Sequence, residues 1–474
     1  MPLTRDPAGQ PPRRARQRRI LSRMVRETEA PTDSFPLIKP DRKAPDDFYD
    51  ARVGAVLDLA GTIGSLLMAS GTPAIATAHQ VIKVVSAYGI EHCEVDVVNT
   101  AIHIAVYRGP ALPPASSMHI VHSRSMDFTR LAALGRLIRQ ITAQKLSPAD
   151  AHTELDAIIT APHPYKRWVA TLAWGALAFA TAGTLGGSLL VCLVSALSTM
   201  LIDRVNRRLN KQGLPFFFQY AIGGVIATAP PLLVFWLCLK KGIPFEPPIA
   251  IAAGLVVILA GLSLVGSVGD VIAGAPVTAA GRFFELLMLT AATIAGVALV
   301  LHLANRFGAP AIDIGATAPP ALAEWPVRVA FGAASAAAFA LACYAERTAA
   351  VAAAFGGATA IAGYLLGLSL GLGPVMSSFI AAVPVGLVGR LMERRHLAPP
   401  LLVSIAGITP LLPGLSLLHG IYAILNDQSY VGFSSVLGAL AISTALAAGV
   451  SLGEWSSFRV RSRRFHHRQT RGRT

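Results

Sequence analysis

Of 474 residues, 53% are hydrophobic and 14% charged, well short of the roughly one quarter charged in a soluble globular chain. That balance excludes an ordinary soluble protein and puts much of the chain in lipid. Lys and Arg (41) outnumber Asp and Glu (26), but arginine is densest in the first 26 residues and in the tail after Phe458, a placement that fits cytoplasmic retention and contact with anionic membrane lipid and not nucleic-acid binding.

Residues 1–49 combine Arg, Pro, Asp and Thr without hydrophobic periodicity and are expected to be a disordered basic tail. No apolar stretch follows the basic residues, so no cleaved secretory signal is expected. From Asp50, Val53, Val56, Leu57, Ala60, Ile63 and Leu67 recur at helical spacing. Ser70-Gly71-Thr72-Pro73 then stops one helix and starts another, which runs to about Tyr88. The β-branched runs at Val95–Val98, Ile102–Val106 and Met118–His122 read as a small sheet, with a turn at Asn99-Thr100. Two more helices follow, one presenting Leu131, Leu134, Ile138 and Ile141, the other capped by Ser147 with Pro148 in its first turn. Residues 50–165 therefore read as a cytoplasmic α/β domain.

Beyond it, apolar runs of span length alternate with charged or Pro-rich breaks; a helix needs about 20 residues to cross about 30 Å of hydrocarbon. Ten transmembrane helices are expected, at 168–184, 186–202, 216–239, 248–268, 283–304, 325–344, 348–370, 374–392, 400–425 and 432–453. With the N-terminus inside, the inner loops hold Arg204, Arg207, Arg208, Lys211, Arg282, Arg347, Arg390, Arg394 and Arg395, and the tail 454–474 is basic. The outer loops hold Lys240, Lys241 and Arg306, with Arg328 near a border, so both termini are expected in the cytoplasm of an inner-membrane protein.

Sliding the chain by 146 residues sets Leu259–Gly274 against Ile405–Gly420, with Ala260, Gly261 and Gly274 matched by Ala406, Gly407 and Gly420. Five spans in each of 166–306 and 323–453 would place the two halves in opposite orientations, the inverted-repeat plan of many secondary transporters. Pro413 and Gly414 break backbone hydrogen bonding inside the ninth span, and Gly266 and Gly269 are expected to loosen the end of the fourth. Freed backbone survives at membrane depth only against protein or a watery cavity, so the pathway is placed there.

Asp270 is the residue this reasoning singles out. An acid at that depth costs about 2.5–3.5 kcal/mol on insertion scales, and it is expected to bind a proton or a substrate ammonium group. Its alternative is a solvated loop residue capping the helix that follows. Glu285, three residues past Arg282, is placed to pair with that arginine on one helix face. His419, after the Pro413-Gly414 break, is a candidate proton relay or a histidine held by backbone carbonyls; Ser416 lies between them. Gly367-Leu-Ser-Leu-Gly371 has the spacing of a hydrolase nucleophile turn but no strand before it, and Gly363, Gly367 and Gly371 read as a helix-packing face. His119 and His122, three apart on a strand, point to opposite faces. Cys93, Cys192, Cys238 and Cys343 lie far apart and imply no disulfide framework. No metal or cofactor is expected.

The stretches MASGTPAIATAHQVIKVVSAYGI (68–90), SRSMDFTRL (123–131), VGSVGDVIAGAPVTAAGRFFE (265–285) and ITPLLPGLSLLHGIYAIL (408–425) together resemble the threonine/serine exporter family, over about residues 51–452. The chain departs from the family at Ala74 and Ala76, where Thr and Arg are common, and at Leu418-His419, where Tyr-Arg is common. The resemblance implies export of threonine and serine driven by the proton gradient, with Asp270 and the Pro413-Gly414 break in the functional core. The expected partners are thus a small amino acid, protons and membrane lipid, with a homo-oligomer allowed for. A dicarboxylate exporter of the succinate type, and a membrane-anchored sensor or enzyme working through its soluble domain, are the rival readings.

Overall fold

The computed structural model describes residues 47–108, 113–121, 126–255, 258, 261–306, 324–395, 399–425 and 428–471. The expected disordered tail up to residue 46, His122 and the first residues of SRSMDFTRL lie outside them. Residues 47–107 and 114–474 form one compact unit. Of the second unit, only Arg108 and Pro113 are described, and the Arg108 guanidinium donates to the Pro113 carbonyl at 2.8 Å.

The first described helices are α1 (Asp47–Ala69) and α2 (Ala74–Ala87), separated at Gly71, whose φ of 91° is a left-handed turn that glycine adopts without strain. Three antiparallel strands follow, β1 (Cys93–Val98), β2 (Ala101–Val106) and β3 (Ala115–Ile120), in the order β1-β2-β3. Val98 pairs with Ala101 across a two-residue turn in which Asn99 takes φ 51°, the conformation that a tight hairpin demands. Alternate residues Ile102, Ile104 and Val106 of β2 are buried. At Gly61 of α1 there is no room for a Cβ, because the His119 ring of β3 fills the space. α3 (Phe128–Thr142) and α4 (Pro148–Thr160) complete this region; their caps are Asp127, accepting from the Arg130 N–H at 3.0 Å, and Ser147, accepting from the Asp150 N–H at 3.2 Å.

Then come α5 (Arg167–Thr184), α6 (Leu189–Lys211), α7 (Phe216–Lys241), α8 (Pro247–Leu255), α9 (Gly261–Ala273) and α10 (Pro276–Arg306). A second set comprises α11 (Trp325–Ala342), α12 (Arg347–Ser369), α13 (Pro374–Arg394), α14 (Pro400–Ile408), a 3₁₀ turn (Thr409–Leu411), α15 (Gly414–Leu425) and α16 (Ser429–Arg471). Among the described residues, eight helices are long and apolar enough to cross a membrane. One of these, over Arg52–Ala69, packs on β2, β3 and the neighbouring helices of the N-terminal region, so length and composition alone do not identify a span.

The expected fourth span, continuous over 248–268, is two helices, and the interruption falls between Leu255 and Gly261. Gly266 and Gly269 sit inside the unbroken α9, so they are not the breaking residues. Ile258 lies in a turn, its N–H returning to the Leu255 carbonyl at 2.9 Å, and its buried side chain lies against Gly223 of α7. The break at Pro413 falls where expected. Thr409–Leu411 tightens into a 3₁₀ turn, Leu412 is extended, and α15 starts at Gly414.

The two helical sets run in parallel registers that differ from the 146-residue offset. α5, α6 and α7 start at 167, 189 and 216, and α11, α12 and α13 start 158 residues later, at 325, 347 and 374. α8, α9 and α10 start at 247, 261 and 276, and α14, α15 and α16 start 153 residues later, at 400, 414 and 429. At the second offset α9 and α15 both open with Gly-Leu-Ser-Leu. Left-handed residues recur as well, Gly186 with Tyr344 and Gly213 with Gly371. So do close approaches: a Cβ at Gly296 of α10 would strike the Ala221 carbonyl of α7, and one at Gly449 of α16 the Phe379 carbonyl of α13.

Candidate functional site: a buried ion pair under the N-terminal region

Asp270 lies in the last turn of α9, where the helix dipole is negative and a carboxylate is disfavoured unless positive groups answer it. Two do. Gly274, at φ 96°, ends α9 with the Ala275 N–H returning to the Asp270 carbonyl at 2.8 Å, and the chain folds back into α10. Arg282 of α10 thereby meets Asp270, donating from Nη1 to Oδ2 at 2.6 Å. The other carboxylate oxygen, Oδ1, accepts from the Ala74 N–H at 3.3 Å. This N–H is one of the orphan donors of the first turn of α2, whose N-cap Pro73 offers no side-chain acceptor. Asp270 therefore caps, from the membrane-embedded part, a helix of the N-terminal region.

Asp270 is 0% exposed and Arg282 8%, so neither ion is solvated, and their stability rests on each other. The pair is covered by α2 and by the β1–β2 hairpin, whose tip docks on α10. The Asn99 N–H donates to Thr278 Oγ1 at 3.0 Å, and that hydroxyl donates to the Val97 carbonyl at 3.2 Å. Asp270 is thus a helix residue sealed between the two regions, neither a solvated loop residue nor exposed to a wide aqueous cavity.

The other expected residues are scattered around this point. Arg282 reaches across the α9–α10 turn to Asp270 and not merely along its own helix to Glu285, which is exposed on α10. Gly269 neighbours Asp270 in the chain, and a Cβ there would meet open space. Pro413 and Gly414 are buried at the α14–α15 break, while Ser416 and His419 are half-buried on α15. α15 packs against α9 and α10, which brings the second break to the helix that carries Asp270.

The N-terminal region grips the second helical set too. Phe128 N–H donates to the Cys343 carbonyl at 3.0 Å, Thr129 donates to the Tyr344 carbonyl, and Arg136 pairs with Glu346 at 3.3 Å. His163, with Nδ1 2.9 Å from Asp127, stacks on Tyr344 with ring centroids 4.3 Å apart. Between this region and α12–α16 lies a cavity of about 510 Å³ that carries both signs of charge, among them Arg136, Arg139, Arg390, Glu346, Glu393 and Glu454. Glu454, on α16, accepts from Ser404 of α14 at 3.1 Å. By sequence Glu454 falls in the basic tail; the signal for its partial burial is its position at the end of an apolar run, about one helical turn past Val450.

Two family models match the chain: "Putative threonine/serine exporter" over residues 58–304 and "Threonine/Serine exporter, ThrE" over residues 328–455. A "Threonine/serine exporter" of Corynebacterium glutamicum is 42% identical over 427 residues, 89% of this chain and 86% of the relative. A "Probable threonine/serine exporter" of Mycobacterium tuberculosis is 34% identical over 417 residues, 86% of this chain and 77% of the relative. No solved structure matches. The boundary between the two family models falls where the first helical set gives way to the second, and the chain belongs to the threonine/serine exporter family.

Proposed function

We propose that this chain exports small hydroxy amino acids of the threonine/serine class from the cytoplasm by proton antiport, through ten spans arranged as two inverted five-span halves. The spans are α5, α6, α7, the broken pair α8–α9 and α10, then α11, α12, α13, the broken pair α14–α15 and α16. Residues 47–160 lie on the cytoplasmic side. The observation that carries this reading is the recurrence of a broken span at the same place in both helical sets, α8–α9 and α14–α15, with the second halves of both breaks in mutual contact. Discontinuous helices meeting between inverted halves are where secondary transporters bind substrate and coupling ion.

Asp270 is the coupling residue in this proposal. Ionised, it holds Arg282 and the N-terminus of α2 and keeps the inner ends of α9 and α10 closed beneath the N-terminal region. Protonation removes the charge that organises both contacts and opens the pathway to the cytoplasm. The freed backbone at Pro413-Gly414 and the hydroxyl of Ser416 offer hydrogen bonds to the zwitterion, and His419 relays protons beyond it. The cavity of mixed charge between the N-terminal region and α12–α16 suits a solute carrying both an ammonium and a carboxylate. A dicarboxylate bound at the broken helices would need a cation there, and Arg282 is taken up by Asp270, which favours the zwitterion.

Efflux from cells preloaded with labelled threonine, serine or succinate, with and without a protonophore, tests the proposal. Protonophore-sensitive loss of threonine and serine is expected. Efflux no faster than from cells lacking the protein, or faster for succinate alone, contradicts it.

A further inference from the structure

α6 stays apolar from Leu189 to Ile202 and then turns abruptly charged: Asp203, Arg204, Arg207, Arg208 and Lys211 fill its last turns. Asp203 is consumed locally. Its carboxylate accepts from Thr171 Oγ1 at 2.7 Å and pairs with Arg207 at 2.9 Å. Arg204, Arg208 and Lys211 remain, spaced four and three residues apart and so on one helix face, where like charges repel. Arg167, the first residue of α5, adds a fourth cation. Among the described residues, none of these four has a carboxylate partner.

These cations line one cleft of about 760 Å³ at the ends of α5 and α6, which Asp203, Arg207, His163 and Tyr344 also line. Its rim holds Trp168, which is 54% exposed, and the next helix starts with Phe216, Phe217 and Phe218, all exposed. Aromatic side chains at the end of an apolar helix mark the level of lipid headgroups. A concave cluster at that level, in which four cations stand beside the one Arg207–Asp203 pair, has charge to offer an anion.

We infer that this cleft binds the phosphate-bearing headgroup of an anionic phospholipid. Arg204, Arg208 and Lys211 supply donors to the phosphate oxygens, with Arg167 closing the site from α5, while the acyl chains run down the apolar flank of α6 that begins at Leu201. Arginine suits this task because its planar fork matches phosphate oxygens two at a time. Seating the anion also relieves the repulsion along α6. The inference rests on the cleft alone and holds whether or not the protein moves amino acids.

The test uses the full-length protein reconstituted with equal phosphatidylglycerol and phosphatidylcholine, with retained lipid counted by native mass spectrometry. The protein is expected to keep phosphatidylglycerol at least about fivefold over phosphatidylcholine, the effect of roughly one basic residue near an anionic surface. The triple variant Arg204→Gln/Arg208→Gln/Lys211→Gln should lose that preference, and Lys240→Gln/Lys241→Gln, which removes charge at the other end of α7, should keep it. The unmodified protein should also release phosphatidylglycerol as salt is raised, a readout that needs no variant to fold. Preference unchanged in the triple variant and insensitive to salt overturns the proposal. Complete displacement of the lipid by excess inorganic phosphate would assign the cleft to a soluble phosphate and overturn the lipid assignment.

Discussion

α9 and α15 open with the same four residues, Gly-Leu-Ser-Leu, each just after a break in its span, and then diverge. α9 carries Asp270 in its last turn, with Arg282 facing it from α10; the corresponding positions of α15 and α16, 153 residues on, are Ala423 and Ser435. Where the first set places Ser267 and Ala279, the second has Gly420 and Gly432, so close that a Cβ on either would meet the backbone of the other. Corresponding positions of the two helical sets thus carry an ion pair in one and close backbone packing in the other. In the proposed arrangement the inner end is covered by the N-terminal region, whose helix α2 the Asp270 carboxylate caps.

The comparison is sharpened most by taking the ion pair apart. Arg282→Gln leaves Asp270 buried without its cation, and the loss of one partner of a buried pair costs about 3–5 kcal/mol. The thermal midpoint of the purified protein should fall steeply, and Asp270→Asn/Arg282→Gln should recover most of the loss. A double variant as unstable as the single would mean that the two residues act separately. Next in size, Ala423→Asp gives the second set the acid of the first without its arginine. Ala423 is 8% exposed, so a cost of about 2.5–3.5 kcal/mol is expected, visible as reduced membrane insertion; a variant as abundant as the parent would show that the second set tolerates an acid by itself.

Packing comes third. Gly296→Val and Gly449→Val push apart corresponding helix pairs, α7 from α10 and α13 from α16, and each should cost about 1–3 kcal/mol. Thermal unfolding that spares one variant entirely would break the equivalence of the two contacts. The smallest effect belongs to Thr278→Ala, which removes the hydroxyl on which the β1–β2 hairpin docks, worth about 1 kcal/mol. Faster amide exchange should appear in the hairpin and not in α16, where the corresponding residue is Val431, 54% exposed.

Much of this was legible in the sequence. Ser147-Pro148 and Ser70-Gly71-Thr72-Pro73 set their helix ends through local chemistry, and most apolar runs emerged as helices because run length and hydrocarbon thickness are the same constraint. The Pro413 break was legible because proline removes a donor. The turn at Ile258 was not, since residues 256–260 are uniformly apolar and the contact of Ile258 with Gly223 is made to a distant helix. The 146-residue offset came from matching Ala-Gly pairs on the wrong sides of the two breaks, which hid the Gly-Leu-Ser-Leu repeat. Helical spacing points from Arg282 to Glu285 and does not reach the Asp270 contact, which lies twelve residues back across the left-handed Gly274. The cap that Asp270 gives to α2 joins residues 196 apart in sequence, and no local rule reaches that far.

The central claim is that the carboxylate of Asp270 couples protons to export. The direct measurement is threonine flux in proteoliposomes under an imposed pH gradient, comparing the parent with Asp270→Asn at equal protein incorporation. The account predicts gradient-driven flux in the parent and none above empty vesicles in the variant. Gradient-driven flux of equal size in both would contradict it.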